Sequence, residues 1–170
     1  MQGPKVQRVL FPHTSRPAGA QEHTCPTIAD LTQQVSRFFE GVDVQFPLEI
    51  LALETCSPFQ RRVLIAEYQI PRSRVSTYGL IARYLGADGG ARAVGNALAR
   101  NPFPILIPCH RAVRTNGQLG GYQGGLEMKR ALLEMEGIRF TPGGRAITEA
   151  FYYASPRNGK ASCQNLSRLS

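Results

Sequence analysis

The sequence predicts an α+β fold, with a small N-terminal α/β subdomain followed by a mostly helical C-terminal domain containing a helix-turn-helix. Three observations predict it. Apolar residues recur at spacings of three and four in several separate stretches, each bounded by Ser, Thr, Gly or Pro, as short amphipathic helices require. The run Val42, Val44, Phe46, Leu48 and Ile50 alternates strictly, which is the period of a half-buried strand. Further on, Ile105-Leu106-Ile107 lies between two prolines and reads as a buried extended segment.

Taken in order, Val6, Val9, Leu10 and Phe11 suit one short strand, and Pro12 to Pro26 is a loop rich in Pro, Gly, Ser and Thr. Thr27 can cap a helix whose apolar face is Ile28, Leu31, Val35 and Phe38, with Asp30 favouring its start and Gly41 its end. Pro47 interrupts the alternating run that follows, so that strand belongs at an edge. A new unit opens at Ser57-Pro58-Phe59-Gln60, where Ser at the cap, Pro at the first helical position and Gln three residues on form a capping box. Phe59, Val63 and Ala66 share a face of that helix, and Ile70-Pro71 ends it. Ser76 or Thr77 caps a second helix from about Tyr78 to Leu85, Asp88-Gly89-Gly90 is a turn, and Ala91 to Arg100 is a third helix stopped by Asn101-Pro102. Helix, Gly-containing turn, helix is the helix-turn-helix pattern. Its second helix carries Arg92 and Arg100 among Ala91, Ala93, Gly95 and Ala97; small residues permit either close approach to a groove or tight packing on the first helix. A last helix runs from Leu126 to Glu136, with Leu126, Leu132, Leu133 and Met135 as its apolar members, and stops at Gly137. Ile147 to Tyr153 can add one local element. Ser155 to Ser170, with Arg157, Lys160 and Arg168 and no acid, reads as a disordered tail with Cys163 as a bystander.

The chemistry concentrates in Asn101 to Gly125. Pro108-Cys109-His110-Arg111 puts a thiol beside an imidazole, between a buried segment and a polar Gly-rich loop. A thiolate is the reactive form, so Cys109 needs a base, and a base needs an orienting carboxylate. His110 is the base, directly or through a water. Glu127, Glu134 and Glu136 are the nearby acids; Glu136 closes an apolar helix, where the macrodipole opposes it, so a partner such as His110 explains it better than propensity does. A bare Cys-His pair also fits an inert buried Cys beside a surface His.

With 20 Lys and Arg against 12 Asp and Glu, the net charge is +8, which suits a polyanionic partner. Four Cys, at 25, 56, 109 and 163, show no paired spacing, which argues against a disulfide framework or zinc cluster. His13, His23 and Cys25 do not have diagnostic ligand spacing. No apolar run is long enough to span a membrane and no signal-peptide pattern is present, so the expectation is an intracellular, reducing compartment: cytoplasm or nucleoid, or the nucleus of a eukaryote.

The stretch RAVGNALARNP upstream, PCHR at the centre, and GGYQGG with the later Lys129, Leu132-Leu133 and Glu136-Gly137 downstream resemble the O6-alkylguanine-DNA alkyltransferases, from Ser57 to about Phe140. The resemblance implies a division into 1–55, a short N-terminal α/β subdomain; 56–140, the alkyltransferase domain with a winged-helix-like helix-turn-helix; and 141–170, a largely disordered extension. It implies irreversible, single-turnover transfer of an alkyl group from guanine O6 in double-stranded DNA to Cys109, by a monomer without cofactor or metal. His110 and Glu136 become the activating relay, with a water between Cys109 and His110. Asn101 resembles the hinge residue between the recognition helix and the active-site segment, although a plain helix-stop Asn also suits the chain. Tyr78 resembles the hydroxyl that donates to the leaving guanine; unaided, it reads as a helix-start aromatic. Arg92 resembles the finger that fills the stack when the nucleotide is extruded. Ala91, Gly95, Arg100 and Arg111 join it as DNA contacts. Pro104 and Tyr122 resemble pocket walls, and the backbone at Ala112 and Gln123 would meet the base. Asn96, Ala112 and Gln123 depart from the family's usual residues. Competing readings are a non-catalytic lesion-binding relative, a helix-turn-helix regulator with Cys109 as sensor, and a Cys hydrolase.

Overall fold

The computed structural model describes residues 5–12, 14–15, 17–19 and 23–154. Among these it is a mixed α+β fold of five α-helices and two small sheets. The helices are α1 (Pro26–Phe39), α2 (Pro58–Tyr68), α3 (Tyr78–Tyr84), α4 (Ala91–Ala99) and α5 (Gly125–Met135). The strands, each two residues long, are β1 (Ser76–Thr77), β2 (Ala112–Val113), β3 (Arg139–Phe140) and β4 (Ala146–Ile147). No helix of the described residues is long and apolar enough to cross a membrane.

The N-terminal part departs most from expectation. α1 begins two residues early: Cys25 is its N-cap, Pro26 takes the first turn where no N–H is needed, and Thr27 caps nothing. It buries Leu31 and Phe38, whereas Ile28 stays 39% exposed. The expected strand at residues 6–11 reduces to one parallel bridge, Val6 to Leu51, with the Val6 amide donating to Ile50 O at 2.7 Å and the Ala52 amide to Val6 O at 3.0 Å. The alternating run 42–50 forms no ladder among the described residues; its end is a 3₁₀ turn, Leu48–Ile50. Alternation did identify the inward side chains, since Phe46 is buried and Val44, Leu48 and Ile50 pack against the core. A pairing partner is what it lacked. Tyr68 instead secures the segment, its hydroxyl donating to Phe46 O at 2.6 Å.

The helices after residue 56 follow local chemistry closely. Ser57 Oγ accepts from the Gln60 amide at 3.3 Å, so half of the capping box forms. The Gln60 side chain instead reaches across to α4, donating to Ala97 O at 3.2 Å and Arg100 O at 2.9 Å. Thr77 caps α3 through Leu80 N at 3.2 Å. The α3–α4 turn needs Gly90, because a Cβ there would lie 2.7 Å from Ala87 O. α2, α3 and α4 pack on one another through Val63, Leu64, Ile81, Ala82, Val94 and Leu98, all buried.

β1 pairs parallel with β2, Ser76 opposite Ala112 and Thr77 opposite Val113. This pairing places the first residue of α3 beside the segment that leaves Cys109. β3 and β4 form a hairpin, and Gln118 bridges to Arg145 to add the 113–119 loop to its edge. One core cluster runs from Phe11 to Tyr153; a smaller one gathers Val75, Val113, Leu133, Ile138 and Ala146. Residues 141–154 of the expected extension belong to this packing. Tyr153 stacks on Tyr84 at 4.1 Å between ring centroids and donates to Ala66 O at 2.8 Å. Arg157, Lys160, Cys163 and Arg168, like His13 near the N-terminus, lie outside the described residues.

Candidate active site

Phe103 to Ile107 delivers the nucleophile. The segment is buried, and Ile105 holds a φ of 72°, a region a β-branched residue occupies only at a cost of about 1–3 kcal/mol. Asn101 fastens it: its Oδ1 accepts from the Phe103 amide at 2.9 Å, and its Nδ2 donates to Ile107 O at 3.3 Å. Asn101 therefore ties the end of α4 to the segment before Cys109. Its carbonyl is held in turn by Gln123 Nε2 at 2.8 Å.

Cys109 opens a 3₁₀ turn, Cys109–Arg111, and is 4% exposed. Burial pushes its thiol up to about 12, against an opposing hydrogen bond from Asn101. At rest it is a thiol, and reaction requires a proton acceptor. His110 follows it, fully buried, with Nε2 2.9 Å from Glu136 Oε1. The Phe38 and Tyr122 rings enclose the imidazole, with centroids at 6.3 and 6.4 Å. Its Nδ1 is buried and has no protein hydrogen-bond partner among the described residues. Burial lowers the His110 pKa, while Glu136 opposes that shift. Nε2–H donating to Glu136 leaves the Nδ1 lone pair to take a proton.

Glu136 is the C-cap of α5 and 1% exposed. Burial alone would raise its carboxyl, but hydrogen bonds from His110 and Arg111 overcome that and hold it at about 2. The ions and donors around it, not helix propensity, explain an acid at a helix C-terminus.

Arg111 corrects the expectation that it contacts DNA. It is only 8% exposed and points inward, Nε donating to Glu136 Oε2 at 2.9 Å, Nη2 to Oε1 at 2.7 Å and Nη1 to Ile70 O at 2.6 Å. A guanidinium with three such bonds is committed to the interior.

Tyr78 begins α3, half-buried; burial pushes its hydroxyl up to about 12, with the Glu67 and Cys109 side chains adding to the shift. The Gly-rich loop lies directly against it: a Cβ on Gly120 would sit 2.7 Å from Tyr78 Cε2 and would collide with the hydroxyl. Lys129, which the sequence places on the last helix and within the family resemblance without a role, is fully buried. Its Nζ donates to Ala112 O at 2.6 Å, to Gly120 O at 3.3 Å and to Tyr78 OH at 3.4 Å. Burial lowers its pKa to about 8. Glu67 on α2 is also fully buried, and burial raises its carboxyl to about 8 against the charges of Lys129 and Arg111. Spacing was the signal for both. Lys129 sits three and four residues before Leu132 and Leu133 and seven before Glu136, and Glu67 sits four after Val63.

Of the other expected residues, Pro104 and Ala112 are buried, and Tyr122 packs edge-on against both Phe11 and His110. Gln123 is exposed. On α4, Arg92 and Arg100 are exposed, Ala91 is half-buried and Gly95 lies beside the Tyr78 ring. The structure thus gathers Cys109, His110, Glu136, Asn101, Tyr78 and Tyr122, adds Arg111 and Lys129, and leaves Arg92 and Arg100 on the outside.

Residues 58–138 match the family model for the DNA-binding domain of 6-O-methylguanine DNA methyltransferase. The chain is 39% identical over 108 residues to a methylated-DNA–protein-cysteine methyltransferase of Methanosarcina acetivorans, covering 68% of that protein and 64% of itself. The chain belongs to the methylated-DNA–protein-cysteine methyltransferase family. A relative from Methanothermobacter thermautotrophicus is 45% identical over 111 residues, covering 65% of this chain, and the chain spans 62% of that relative's length. The crystal structure of Mycobacterium tuberculosis OGT in complex with DNA superposes with a TM-score of 0.59 at 42% identity, covering 64% of this chain and 66% of the other. The family-model match holds the whole cluster from Glu67 to Glu136, and the irregular part before residue 58 lies outside it.

Proposed function

We propose that this family member repairs DNA by moving an alkyl group, methyl above all, from guanine O6 to Cys109. The observation that carries the reading is a buried thiol next to an imidazole that is itself hydrogen-bonded to a buried carboxylate, in a chain of this family. The Cys109 proton passes to His110 Nδ1, directly or through a water. The sulfur electron pair forms the new S–C bond, and the C–O6 bond breaks with its electron pair going to the guanine. The base gains the proton it needs with help from the Tyr78 hydroxyl, a donor aimed where charge develops. Asn101 couples α4 to the reactive segment, and Pro104, Ala112, Tyr122 and the backbone at Gln123 wall the base.

The DNA side of the proposal uses residues 56–140 as the alkyltransferase unit, with α3 and α4 as a helix-turn-helix and the 113–119 loop and β3–β4 hairpin as its wing. Exposed Arg92 and Arg100, with Ala91 and Gly95 allowing close approach, put α4 against duplex DNA. Arg92 fills the stack while the target nucleotide is flipped. This unit acts as a monomer in an intracellular compartment that keeps Cys109 reduced. The +8 net charge of the chain favours that partner.

The test is a mass measurement after incubation with O6-methylguanine duplex. One methyl group per chain, on the Cys109 peptide and absent in Cys109→Ser, is the expected result, with no further turnover because a thioether is not hydrolysed by a nearby base. Methyl groups on Cys25 or Cys56, or none anywhere, would remove Cys109 from the role.

A further inference from the structure

Arg111 belongs to the PCHR motif, yet neither nucleophile, base nor DNA contact accounts for it. Its guanidinium shares a carboxylate with His110. Glu136 Oε1 accepts from His110 Nε2 at 2.9 Å and from Arg111 Nη2 at 2.7 Å, while Oε2 accepts from Arg111 Nε at 2.9 Å. The third contact, Nη1 to Ile70 O at 2.6 Å, anchors the guanidinium just past the end of α2. The three residues come from two sites 25 positions apart in sequence and are locked by α5 ending where it does.

We propose that Arg111 is a positioning residue that keeps His110 neutral by neutralising the carboxylate the two residues share. A buried carboxylate facing an imidazole alone favours the imidazolium, because the opposite charge is close and poorly screened. With the guanidinium bound to the same carboxylate, the pair is electrically balanced, and a second positive charge on His110 would be repelled by Arg111. The carboxylate still orients the ring by accepting from Nε2–H, so orientation and basicity are set separately. The other groups facing His110 act in the same sense or carry no charge: Lys129 opposes the imidazolium, the neighbouring Cys109 is a thiol at rest, and the Tyr122 and Phe38 rings exclude water. Burial itself lowers the His110 pKa, and Arg111 adds to that direction. A neutral imidazole with a free Nδ1 lone pair accepts the Cys109 proton; an imidazolium does not. That consequence rests on the alkyl-transfer reading, whereas the tuning itself does not.

The experiment follows the imidazole directly. The chain has three His, so His13→Gln and His23→Gln in the full chain leave His110 as the only one. Nitrogen-15 spectra then report its protonation state against pH. The expected result is a ring protonated at Nε2, bare at Nδ1 and still neutral at about pH 6.5, where an ordinary imidazole is half protonated. Arg111→Met moves the titration to higher pH, Arg111→Lys keeps it low because the charge remains, and adding Glu136→Gln to Arg111→Met returns it to low pH. An imidazolium at pH 7 in the parent protein would overturn the proposal without any Arg111 variant, which covers a failure of Arg111→Met to fold. An unmoved titration in folded Arg111→Met would overturn it equally. In methyl transfer, Arg111→Met lowers the rate about tenfold at pH 6.5 and less than about threefold at pH 8.5, a split that loss of packing alone does not produce. If the imidazole titrates as expected and the parent protein transfers no methyl group, the proposed function fails and the role of Arg111 stands.

Discussion

Replacing Glu67 by Gln should make the protein more stable at neutral pH, although Glu67 is fully buried among charged neighbours. The reasoning starts from desolvation. Burial raises the carboxyl from about 4.5 to about 8, so the folded chain holds at neutral pH a proton that the unfolded chain releases. A folded-state pKa above the unfolded one means stability intact below about pH 4.5 and lost as pH rises through about 8. At pH 7 the chain is 2.5 pH units above the ordinary value, and at about 1.4 kcal/mol per unit the loss is about 3 kcal/mol. Gln has the same shape and no proton to release, so it removes this loss; imperfect partners for its amide return about 1–2 kcal/mol. The net expectation is about 1–2 kcal/mol gained at pH 7 and nothing, or a small loss, at pH 5. Urea denaturation of both proteins at half-unit steps from pH 5 to 8 measures it, with the m-value checking that both unfold over the same surface. The difference between them should rise steadily with pH. A flat difference, or one that turns against the Glu67→Gln variant as pH rises, would show an ionised Glu67 paired with Lys129, and the desolvation reasoning would be wrong.

Three other outcomes are expected. Glu136 is the opposite case: its carboxyl is held at about 2, so stability present above its ordinary 4.5 should disappear as pH falls between the two values, by about 3 kcal/mol, and acid denaturation of Glu136→Gln should lack that step. Gly120→Ala drives a methyl group into the Tyr78 hydroxyl, so transfer from alkylguanine should fall about 10²-fold in a protein that still folds by thermal melting; an unchanged rate would mean Tyr78 does not serve the leaving base. Arg92→Ala should slow transfer from saturating duplex but not from the free alkylated base, because only the duplex requires extrusion; if saturating duplex restores the rate, exposed Arg92 is an ordinary phosphate contact.

What could be read from the sequence divides along a physical line. Features set by neighbours in sequence were legible: Thr77 and Ser57 cap their helices through amides three residues on, and Pro58 and Gly90 stand where helix geometry wants them. The Cys109–His110 adjacency and the unexplained acid at the end of α5 made His110 and Glu136 candidate partners, and the family resemblance implied the relay that their hydrogen bond matches. Features set by partners far along the chain were not. The alternating residues 42–50 showed which side chains turn inward but not that, among the described residues, no strand pairs with them. Arg111 was misread for a related reason. The resemblance placed Arg111 among the DNA contacts, whereas its inward turn depends on Glu136 and on the Ile70 carbonyl, 41 residues back. Lys129, quoted only as part of the resemblance, and Glu67 stand at inward helical positions, where charged residues are rarely buried unless paired. Their burial makes sense only in three dimensions, where the carbonyls of Ala112 and Gly120 and the Tyr78 hydroxyl converge on one ammonium group. A buried cation is costly unless such acceptors satisfy it, and these lie on α3, on β2 just after Cys109 and on the Gly-rich loop. The scaffold is therefore most expensive in free energy where the chemistry is densest. A substitution scan for stability should accordingly find its gains at Glu67 rather than in the apolar core, and a scan for activity should find its losses at Arg111 and Lys129 as well as in the thiol relay.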